Sequence, residues 1–311
     1  MNFKHKILIT GGAGFIPSSL AEKLLSNPDN FVVLTDNMVT GQSKNIPKHP
    51  NCRFIKADVN SYEDIAPIMT TVGFDFVFHY AAMVGVLRTL ENPVGVLDDI
   101  KGLQNIFQLC KNTGVKRVYY SSSSEVYGEP VHLPQHEYET PLNSRLPYAV
   151  VKNIGECFCR SYAKEHNLPY TILRFFNTYG PKQSPDFVIS KFLHAAMRGK
   201  DITIYGDGSQ TRTFCYIDDN VEFTEKIFNG NLFVNDVVNV GNAELTTINS
   251  LVETIIKVSG SKSKIINLPP LKEGDMTRRQ PDNSKMLSVL NRELLPLEEG
   301  LKRIIKINNF S

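Results

Sequence analysis

The sequence lacks several features that would place it in common classes of protein. Its five cysteines form no CxxC pair and no evident disulfide framework, so we expect reduced thiols in a cytoplasmic protein. Basic and acidic residues nearly balance, 34 against 32, and no basic block argues for a nucleic-acid partner. No apolar run reaches the roughly 18 residues of a transmembrane helix. No signal-peptide pattern, internal repeat or metal-ligand cluster is evident.

The first 178 residues alternate short apolar runs with amphipathic stretches. The chain of 311 residues is 41% hydrophobic, which is enough for a large core in one or two domains. Strands are predicted at 6–10, 31–36, 52–58, 74–82, 115–123 and 170–176, and helices at 15–26, 61–70, 94–113 and 147–166. This order predicts an α/β fold, a Rossmann-type doubly wound parallel sheet with helices on both faces.

The alternation loosens after residue 178. Helices are predicted at 187–199 and 245–260, and short strands at 202–206 and 213–217. We therefore predict a smaller, mixed C-terminal region that binds the substrate. The predicted division is at residues 1–178 and 179–311, with some later elements contributing to the first part.

A glycine-rich turn follows the first predicted strand. Gly11, Gly12 and Gly14 precede a helical pattern, so backbone N–H groups and the helix N-terminus can approach a pyrophosphate. Asp36 ends the second strand, where its carboxylate can bind a ribose diol and would repel a 2′-phosphate. NAD is therefore favoured over NADP, although a tight turn without a ligand is the alternative. Pro17 takes the third glycine position and is tolerated only within the first helical turn.

Tyr148 and Lys152 lie four residues apart in a predicted helix and share one face. An ammonium group beside a phenol favours the phenolate and lowers a pKa that is ordinarily about 10. Ser123 stands upstream in SSSSEVYG and can orient a substrate alcohol. The three residues together predict a general base for the oxidation of a carbinol.

These motifs resemble those of the extended short-chain dehydrogenase/reductase family, specifically its NDP-sugar epimerase/dehydratase branch. The matching segments, in order through nearly the whole chain, are TGGAGFI, Asp36, Asp58, HYAA (79–82), SSSSEVYG (121–128), YAVVK, RFFNTYGP (174–181), ITIYGDGSQTRTFCYIDD (202–219) and RRQPD (278–282). The resemblance implies an NAD-dependent enzyme acting on a nucleotide-diphosphate sugar, with a UDP-sugar expected. It implies that residues 1–178 bind NAD and residues 179–311 bind the nucleotide sugar. It also implies a homodimer, in which helices 94–113 and 147–166 form a four-helix interface.

The same resemblance assigns roles to single residues. Ser123 would contact the sugar hydroxyl, Tyr148 would be the acid/base, and Lys152 would hold the nicotinamide ribose. The expected cofactor-binding residues are Gly11, Gly14, Phe15, Ile16, Asp36, Asp58, Val59, Ala81, Ala82, Ser121, Tyr148 and Lys152. The expected substrate-binding residues are Val84, Ser123, Ser124, Asn177, Val188, Tyr205, Gln210, Arg212, Arg279 and Asp282, with both arginines on the diphosphate. Asp99 departs from the asparagine of many relatives.

The implied reaction begins with oxidation at sugar C4, where Tyr148 removes the O4 proton and NAD accepts the hydride. Return of the hydride to the other face of the 4-keto sugar would make the enzyme a 4-epimerase. Loss of CO2 from a uronic acid would make it a decarboxylase. Loss of water across C5 and C6 would make it a 4,6-dehydratase.

Glu125 bears on this choice, because the family's dehydratases and UDP-glucuronate decarboxylases commonly carry an acid two places after the catalytic Ser or Thr. The segments GSQTRTF and RRQPD also resemble those of the decarboxylases, whereas VGVLRTLENP (84–93) is closer to epimerases. We predict C4 epimerisation, with catalysis by Glu125 in a decarboxylase or dehydratase as the alternative. A structural role for Glu125 is a further interpretation. A catalytically inactive nucleotide-sugar-binding protein is the alternative from another class, and the intact Ser123, Tyr148 and Lys152 argue against it.

Overall fold

The computed structural model describes residues 3–269 and 279–308, so Arg278 of the RRQPD segment lies outside the described residues. The strands are β1 (His5–Thr10), β2 (Asn30–Asp36), β3 (Cys52–Lys56), β4 (Phe76–His79), β5 (Arg117–Ser123), β6 (Tyr170–Phe175), β7 (Thr178–Tyr179), β8 (Ile202–Tyr205), β9 (Thr211–Arg212), β10 (Cys215–Tyr216), β11 (Asp236–Val240), β12 (Thr246–Thr247) and β13 (Ile265–Leu268). The helices are α1 (Phe15–Leu25), α2 (Tyr62–Val72), α3 (Val86–Glu91), α4 (Pro93–Leu97), α5 (Asp99–Thr113), α6 (Pro147–His166), α7 (Val188–Met197), α8 (Ile217–Asn229), α9 (Ile248–Ser259), α10 (Ser284–Leu290) and α11 (Leu297–Asn308).

In the described part of the chain, seven parallel strands form the central sheet in the order β11-β6-β5-β4-β1-β2-β3. Helices α1 and α8 contribute to the core on one face, and α2, α5 and α6 contribute to the core on the other. The strand order reverses between β1 and β4, and such a switch point opens a crevice beyond the carboxyl ends of the strands. The predicted doubly wound α/β fold is therefore confirmed.

Several predicted elements differ in extent from those observed, and three of the differences have a clear physical reason. Strand β4 ends at His79 rather than at residue 82, because the N–H groups of Tyr80 and Ala81 donate to the Thr10 hydroxyl instead of a neighbouring strand. The helix predicted over 94–113 is divided into α4 and α5 at Asp98, where the N–H donates to the Gly95 carbonyl in a tighter turn. The strand predicted over 213–217 shortens to β10, because α8 begins at its last residue.

The part of the chain after residue 178 forms small sheets and also returns to the large one. Strands β7 and β10, β9 and β12, and β8 and β13 make two-stranded pairs. Strand β11 instead joins β6 at the edge of the central sheet, which is one of the later elements that we expected to contribute. The division at residue 178 into a cofactor-binding and a substrate-binding part stays a prediction. Among the described residues, no helix is long and apolar enough to cross a membrane.

Candidate active site

The glycine-rich turn lies between the end of β1 and the start of α1. Gly11 has φ of +70°, and a Cβ there would lie 3.0 Å from the backbone of Ala81, so only glycine suits this position. Gly14 precedes the first residue of α1, and its extended backbone places Phe15 and Ile16 in the first helical turn. The free N–H groups of that turn give the helix N-terminus a partial positive charge. The turn therefore fits the predicted contact with a pyrophosphate.

Pro17 lies in the first turn of α1, where the backbone N–H has no partner inside the helix. Its missing N–H therefore leaves no helical hydrogen bond unmade. The next residue, Ser18, still donates its N–H to the Gly14 carbonyl at 3.3 Å. The departure from glycine is thus compatible with an intact helix start.

Two carboxylates end the neighbouring strands on the side predicted to hold the adenosine half. Asp36 is 9% exposed, and its two oxygens accept from the N–H groups of Ala13 at 3.1 Å and Met38 at 2.7 Å. These bonds orient the carboxylate beside the glycine-rich turn. Asp58 is half-buried after β3 and accepts from the Asn37 amide at 3.1 Å, and Val59 beside it is buried. The residues present thus fit an NAD molecule with a free ribose diol.

Ser123, Tyr148 and Lys152 meet at the carboxyl end of β5. Ser123 is the last residue of that strand, and α6 begins at Pro147 and packs across β5, which brings Tyr148 and Lys152 over the strand end. Lys152 is 3% exposed and donates to the Ser121 carbonyl at 2.7 Å, with its ammonium 5.7 Å from the Tyr148 ring centroid. The residues that line one small pocket here include His79, Ala81, Ala82, Asp99, Tyr148 and Lys152.

Burial has the largest effect on the pKa values of Tyr148 and Lys152. It lowers the pKa of Lys152 from 10.5 to about 8, and the nearby Asp99 carboxylate opposes that change. It also raises the pKa of Tyr148, as does the charge of Glu125, whereas a hydrogen bond with Ser123 acts in the other direction. The expected lowering of the Tyr148 pKa by Lys152 is therefore not seen in this arrangement. Burial is the larger effect, and the ammonium group is directed at the Ser121 carbonyl.

Two other polar residues complete the pocket. His79 is 2% exposed and its Nδ1 lies 2.9 Å from the Thr10 hydroxyl, while burial lowers the pKa of its ring to about 3. The ring is therefore neutral and lines the pocket. Asp99, the first residue of α5, accepts from the Met83 N–H at 2.7 Å, and burial raises the pKa of its carboxyl. Asp99 thus fixes the loop that follows β4.

Glu125 is held by a residue distant in sequence. Its Oε1 lies 3.0 Å from the Arg279 guanidinium, and both side chains are largely buried. Glu125 lies in the short 3-10 turn Ser124–Tyr127, hereafter the β5 turn, and the Ser123 hydroxyl accepts its N–H at 3.2 Å. Both residues were singled out from the sequence, but their pairing was not predicted, because 154 positions separate them.

The remaining residues predicted to bind substrate fall into smaller groups. Asn177 follows β6, and its amide donates to the Thr213 carbonyl at 3.1 Å. Gln210 donates to the carbonyl of the half-exposed Tyr205 at 3.0 Å, and Arg212 lies on the adjoining β9. Val84 lies in the loop after β4, Ser124 is buried in the β5 turn, and Val188 begins α7. Asp282 accepts from the N–H of Ser284 at 2.9 Å at the start of α10, which leaves its second oxygen for a ligand.

A buried ion pair between Arg174 and Glu156 lies behind the cluster, and Glu156 was not among the residues predicted from the sequence. Glu156 lies one turn after Lys152 on α6, and its carboxylate accepts two hydrogen bonds of 2.8 Å from Arg174 and one of 2.7 Å from Ser122. The spacing of four residues from Lys152 was an available signal. In the part of the chain that the structure describes, no group of three His, Cys, Asp or Glu side chains could hold a metal ion.

A doubly wound sheet with this turn and this Ser/Tyr/Lys cluster defines an NAD-binding enzyme of the short-chain dehydrogenase/reductase class. The chain belongs to the NAD dependent epimerase/dehydratase family, which it matches over residues 7–241. The predicted family and the predicted NAD cofactor are thereby confirmed.

Solved structures and curated relatives provide three comparisons. The chain is similar to the UDP-glucose 4-epimerase of Thermotoga maritima, crystallised with UDP-glucose, with a TM-score of 0.90 and 31% identity over 97% of each chain. It is similar to the UDP-glucuronic acid 4-epimerase of Bacillus cereus in complex with UDP-glucuronic acid and NAD, with a TM-score of 0.88 and 30% identity over 97% of this chain and 99% of that one. It is 36% identical to UDP-glucuronic acid decarboxylase 3 of Arabidopsis thaliana over 310 residues, 95% of this chain and 86% of the relative. The predicted NAD-dependent modification of a nucleotide sugar agrees with these relatives.

Proposed function

We propose that the protein is an NAD-dependent 4-epimerase of nucleotide-diphosphate sugars, with a UDP-sugar as substrate. The observation that carries the proposal is the buried cluster of Ser123, Tyr148 and Lys152 beside the glycine-rich turn. NAD, when bound, supplies a hydride acceptor for the sugar carbon and returns the hydride. Similarity to the two 4-epimerases supports the choice of reaction.

The chain's own residues would manage the proton. Tyr148 would take the proton of the sugar hydroxyl, Ser123 would hold that hydroxyl by hydrogen bonding, and Lys152 would hold the nicotinamide ribose. Ser123 and Lys152 are buried and Tyr148 is partly buried, which limits access of water and strengthens their mutual electrostatic interactions. Arg212, Arg279 and Asp282 would hold the nucleotide diphosphate and leave the sugar at the cluster.

Decarboxylation of a UDP-uronic acid is the second candidate, and the Glu125–Arg279 pair is the observation that favours it. A carboxylate and a guanidinium lie next to the Tyr148 cluster, where they can move a proton or bind an acidic sugar. An epimerase does not need an acid at this position. In an epimerase the pair would anchor the segment after residue 278 to the β5 turn.

Incubation with a panel of UDP-hexoses and UDP-uronic acids, followed by NMR, tests the proposal. Inversion at C4 is the expected result. Release of CO2 or a 4-keto-6-deoxy sugar would overturn it in favour of the decarboxylase or dehydratase.

The variant Glu125→Gln separates the candidates further. In an epimerase it should keep most of its activity, because it loses a charge-assisted contact with Arg279 of about 1.5–3 kcal/mol and no group that the C4 chemistry needs. In a decarboxylase or dehydratase, turnover should fall about 100-fold or more while NADH still accumulates. Arg279→Gln is the comparison variant, because it breaks the same ion pair and leaves the carboxylate in place. Since Arg279 would also hold the diphosphate, the two variants are compared at saturating UDP-sugar.

We further propose that the protein is cytoplasmic and forms a homodimer, and that residues 1–178 bind NAD while residues 179–311 bind the nucleotide sugar. Apolar side chains exposed on α4 and α6 support the dimer. The glycine-rich turn and Asp36 lie before residue 178, whereas Arg212 and Asp282 lie after it. These positions support the division at residue 178.

A further inference from the structure

Asn239 is a buried amide in the middle of β11 that the proposed reaction does not use. Its relative exposure is 0%, and it stands between the apolar residues Val238 and Val240. Its Oδ1 accepts from the Tyr127 hydroxyl at 2.7 Å, and its Nδ2 donates to the carbonyls of Gln135 at 2.9 Å and Asp282 at 3.1 Å. A buried polar side chain in a strand is stable only when its hydrogen bonds are made, and the oxygen and nitrogen of this amide both have partners.

The two carbonyls belong to chain segments that are themselves bound together. The Gln135 N–H donates to the Gln280 carbonyl at 2.7 Å, and the Asp282 N–H donates to the Gln135 carbonyl at 2.8 Å, which forms a parallel bridge between Gln135 and Pro281. The Asn239 amide lies at this bridge and donates one N–H to each segment. It therefore fixes residues 279–282, hereafter the Arg279 segment, to the edge strand of the central sheet.

The Arg279 segment is also joined to the β5 turn at two points. At one, Arg279 pairs with Glu125. At the other, the Asp282 carbonyl accepts from Asn239, which accepts from Tyr127 at the end of the same turn. The side chains of the first contact are largely buried and would meet the substrate, whereas Asn239 in the second contact is fully buried. The Asn239 contact therefore helps to set where Arg279 lies.

We propose that Asn239 is a positioning residue for the nucleotide diphosphate, because it holds the Arg279 segment in register with the β5 turn. The inference rests on the proposed function, in which Arg279 and Asp282 bind the nucleotide. Without the amide, the Asp282 carbonyl loses this donor and the Gln135 carbonyl keeps only the Asp282 N–H, so the segment gains from moving toward water or other partners. Tyr148, Lys152 and the glycine-rich turn stand on α6 and β1, so they keep their places.

The test compares Asn239→Leu with Tyr127→Phe by calorimetric titration of UDP. Leucine has the branched shape and the same number of side-chain heavy atoms as asparagine, although it is larger, and it removes both donors to the segments. Phenylalanine removes the hydroxyl from the same buried network but leaves the Asn239 donors intact. We expect Asn239→Leu to weaken UDP binding about tenfold, equivalent to about 1.4 kcal/mol. We expect its NAD content to stay at the wild-type level, and the UDP affinity of Tyr127→Phe to stay close to that of the wild type.

Several results would overturn the inference. One is wild-type UDP affinity in Asn239→Leu, and another is an equal loss in Tyr127→Phe, which would indicate a general effect of damage to the network. If Asn239→Leu does not fold, Asn239→Ser, which leaves a smaller polar group, must show the weakened binding instead. A wild-type protein that binds no UDP would overturn the proposed function together with this inference, and that outcome is distinct from a variant that binds as well as the wild type.

Discussion

Burial and the nearby Glu125 carboxylate raise the pKa of Tyr148. Removal of its hydroxyl group is therefore the most informative test of its role as the acid/base. Tyr148→Phe deletes one oxygen and keeps the ring packing. We expect turnover to fall by about 10²–10⁴, the usual contribution of a proton-transfer group, while NAD and UDP-sugar binding persist. Steady-state kinetics and UDP-sugar titration measure both effects. Activity close to that of the wild type would remove Tyr148 from the proposed acid/base role.

Burial makes the charged form of Lys152 unfavourable in free energy. Its folded pKa of about 8 lies below the ordinary 10.5, so the charged form costs about 3 kcal/mol at roughly 1.4 kcal/mol per pKa unit. Between these pH values the unfolded chain holds a proton that the folded chain has lost, so wild-type stability rises with pH across this window. The cost is therefore full below about pH 8 and fades toward pH 10.5.

The direction of this pH dependence predicts the stability of a variant with a neutral side chain at residue 152. Lys152→Met should be inactive and yet more resistant to unfolding than the wild type at pH 7, with the difference shrinking as the pH rises from 8 to 10.5. Thermal unfolding followed by circular dichroism over that range measures the effect. Lys111→Met on the exposed side of α5 is the control, because it removes a lysine that lies outside the buried cluster. A stability difference for Lys152→Met that grows with pH would contradict the argument.

Residue spacing explains which parts of the site could be predicted. Tyr148 and Lys152 share a helix, where a separation of four residues fixes a common face. Asp36 ends a strand beside the glycine-rich turn, and strand ends of a parallel sheet meet at one edge. The pairing of Glu125 with Arg279 depends on how distant segments return to the site, and local periodicity carries no information on that.

At the scale of elements, the crossing of α6 over β5 sets the positions of the Tyr148 and Lys152 side chains. Gly155 lies at this crossing, and a Cβ there would lie far inside contact distance of the buried Tyr120 ring. Gly155→Ala should therefore push α6 away from the strand and destabilise the protein by about 1–3 kcal/mol. It should also lower turnover, because Lys152 lies one turn away.

Gly95→Ala is the matched control for this variant. Gly95 is also helical, but the closest atom to a Cβ there would be the flexible end of Met83, at 3.3 Å. Chemical denaturation and steady-state kinetics compare the two variants. If Gly155→Ala were as stable and as active as Gly95→Ala, the close crossing would not constrain the site.

The strands and helices that were not predicted from the sequence have apolar patterns that are short or that overlap those of a neighbouring element. Strand β11 reads DVVNV, and Asn239 interrupts its apolar run, so tertiary pairing with β6 rather than periodicity makes it a strand. Helix α8 starts inside an apolar run that resembles a strand. Its acidic first turn, Asp218 and Asp219, was an available signal for a helix start. The first six strands carry longer apolar runs, and each formed.

At the scale of the whole molecule, α4 and α6 present apolar side chains to solvent. Val94 is 77% exposed, Leu97 45% and Val150 38%, and the two helices pack side by side. In contrast, Leu103 and Val151 of the same region are buried in the core. The surface available for association is therefore narrower than the apolar pattern of the two helices indicates.

We expect this surface to be the interface of a homodimer related by a two-fold axis, in which each copy covers the other's Val94, Leu97 and Val150. Light scattering should give twice the chain mass of 35.0 kDa at micromolar concentration. Val150→Arg should shift the protein toward monomer, because it places a charge in an apolar contact. Ile307→Arg, at a residue 60% exposed on α11, should leave the mass unchanged. A wild-type mass of one chain at all concentrations would contradict the dimer, and a Val150→Arg protein that stays dimeric would place the interface elsewhere.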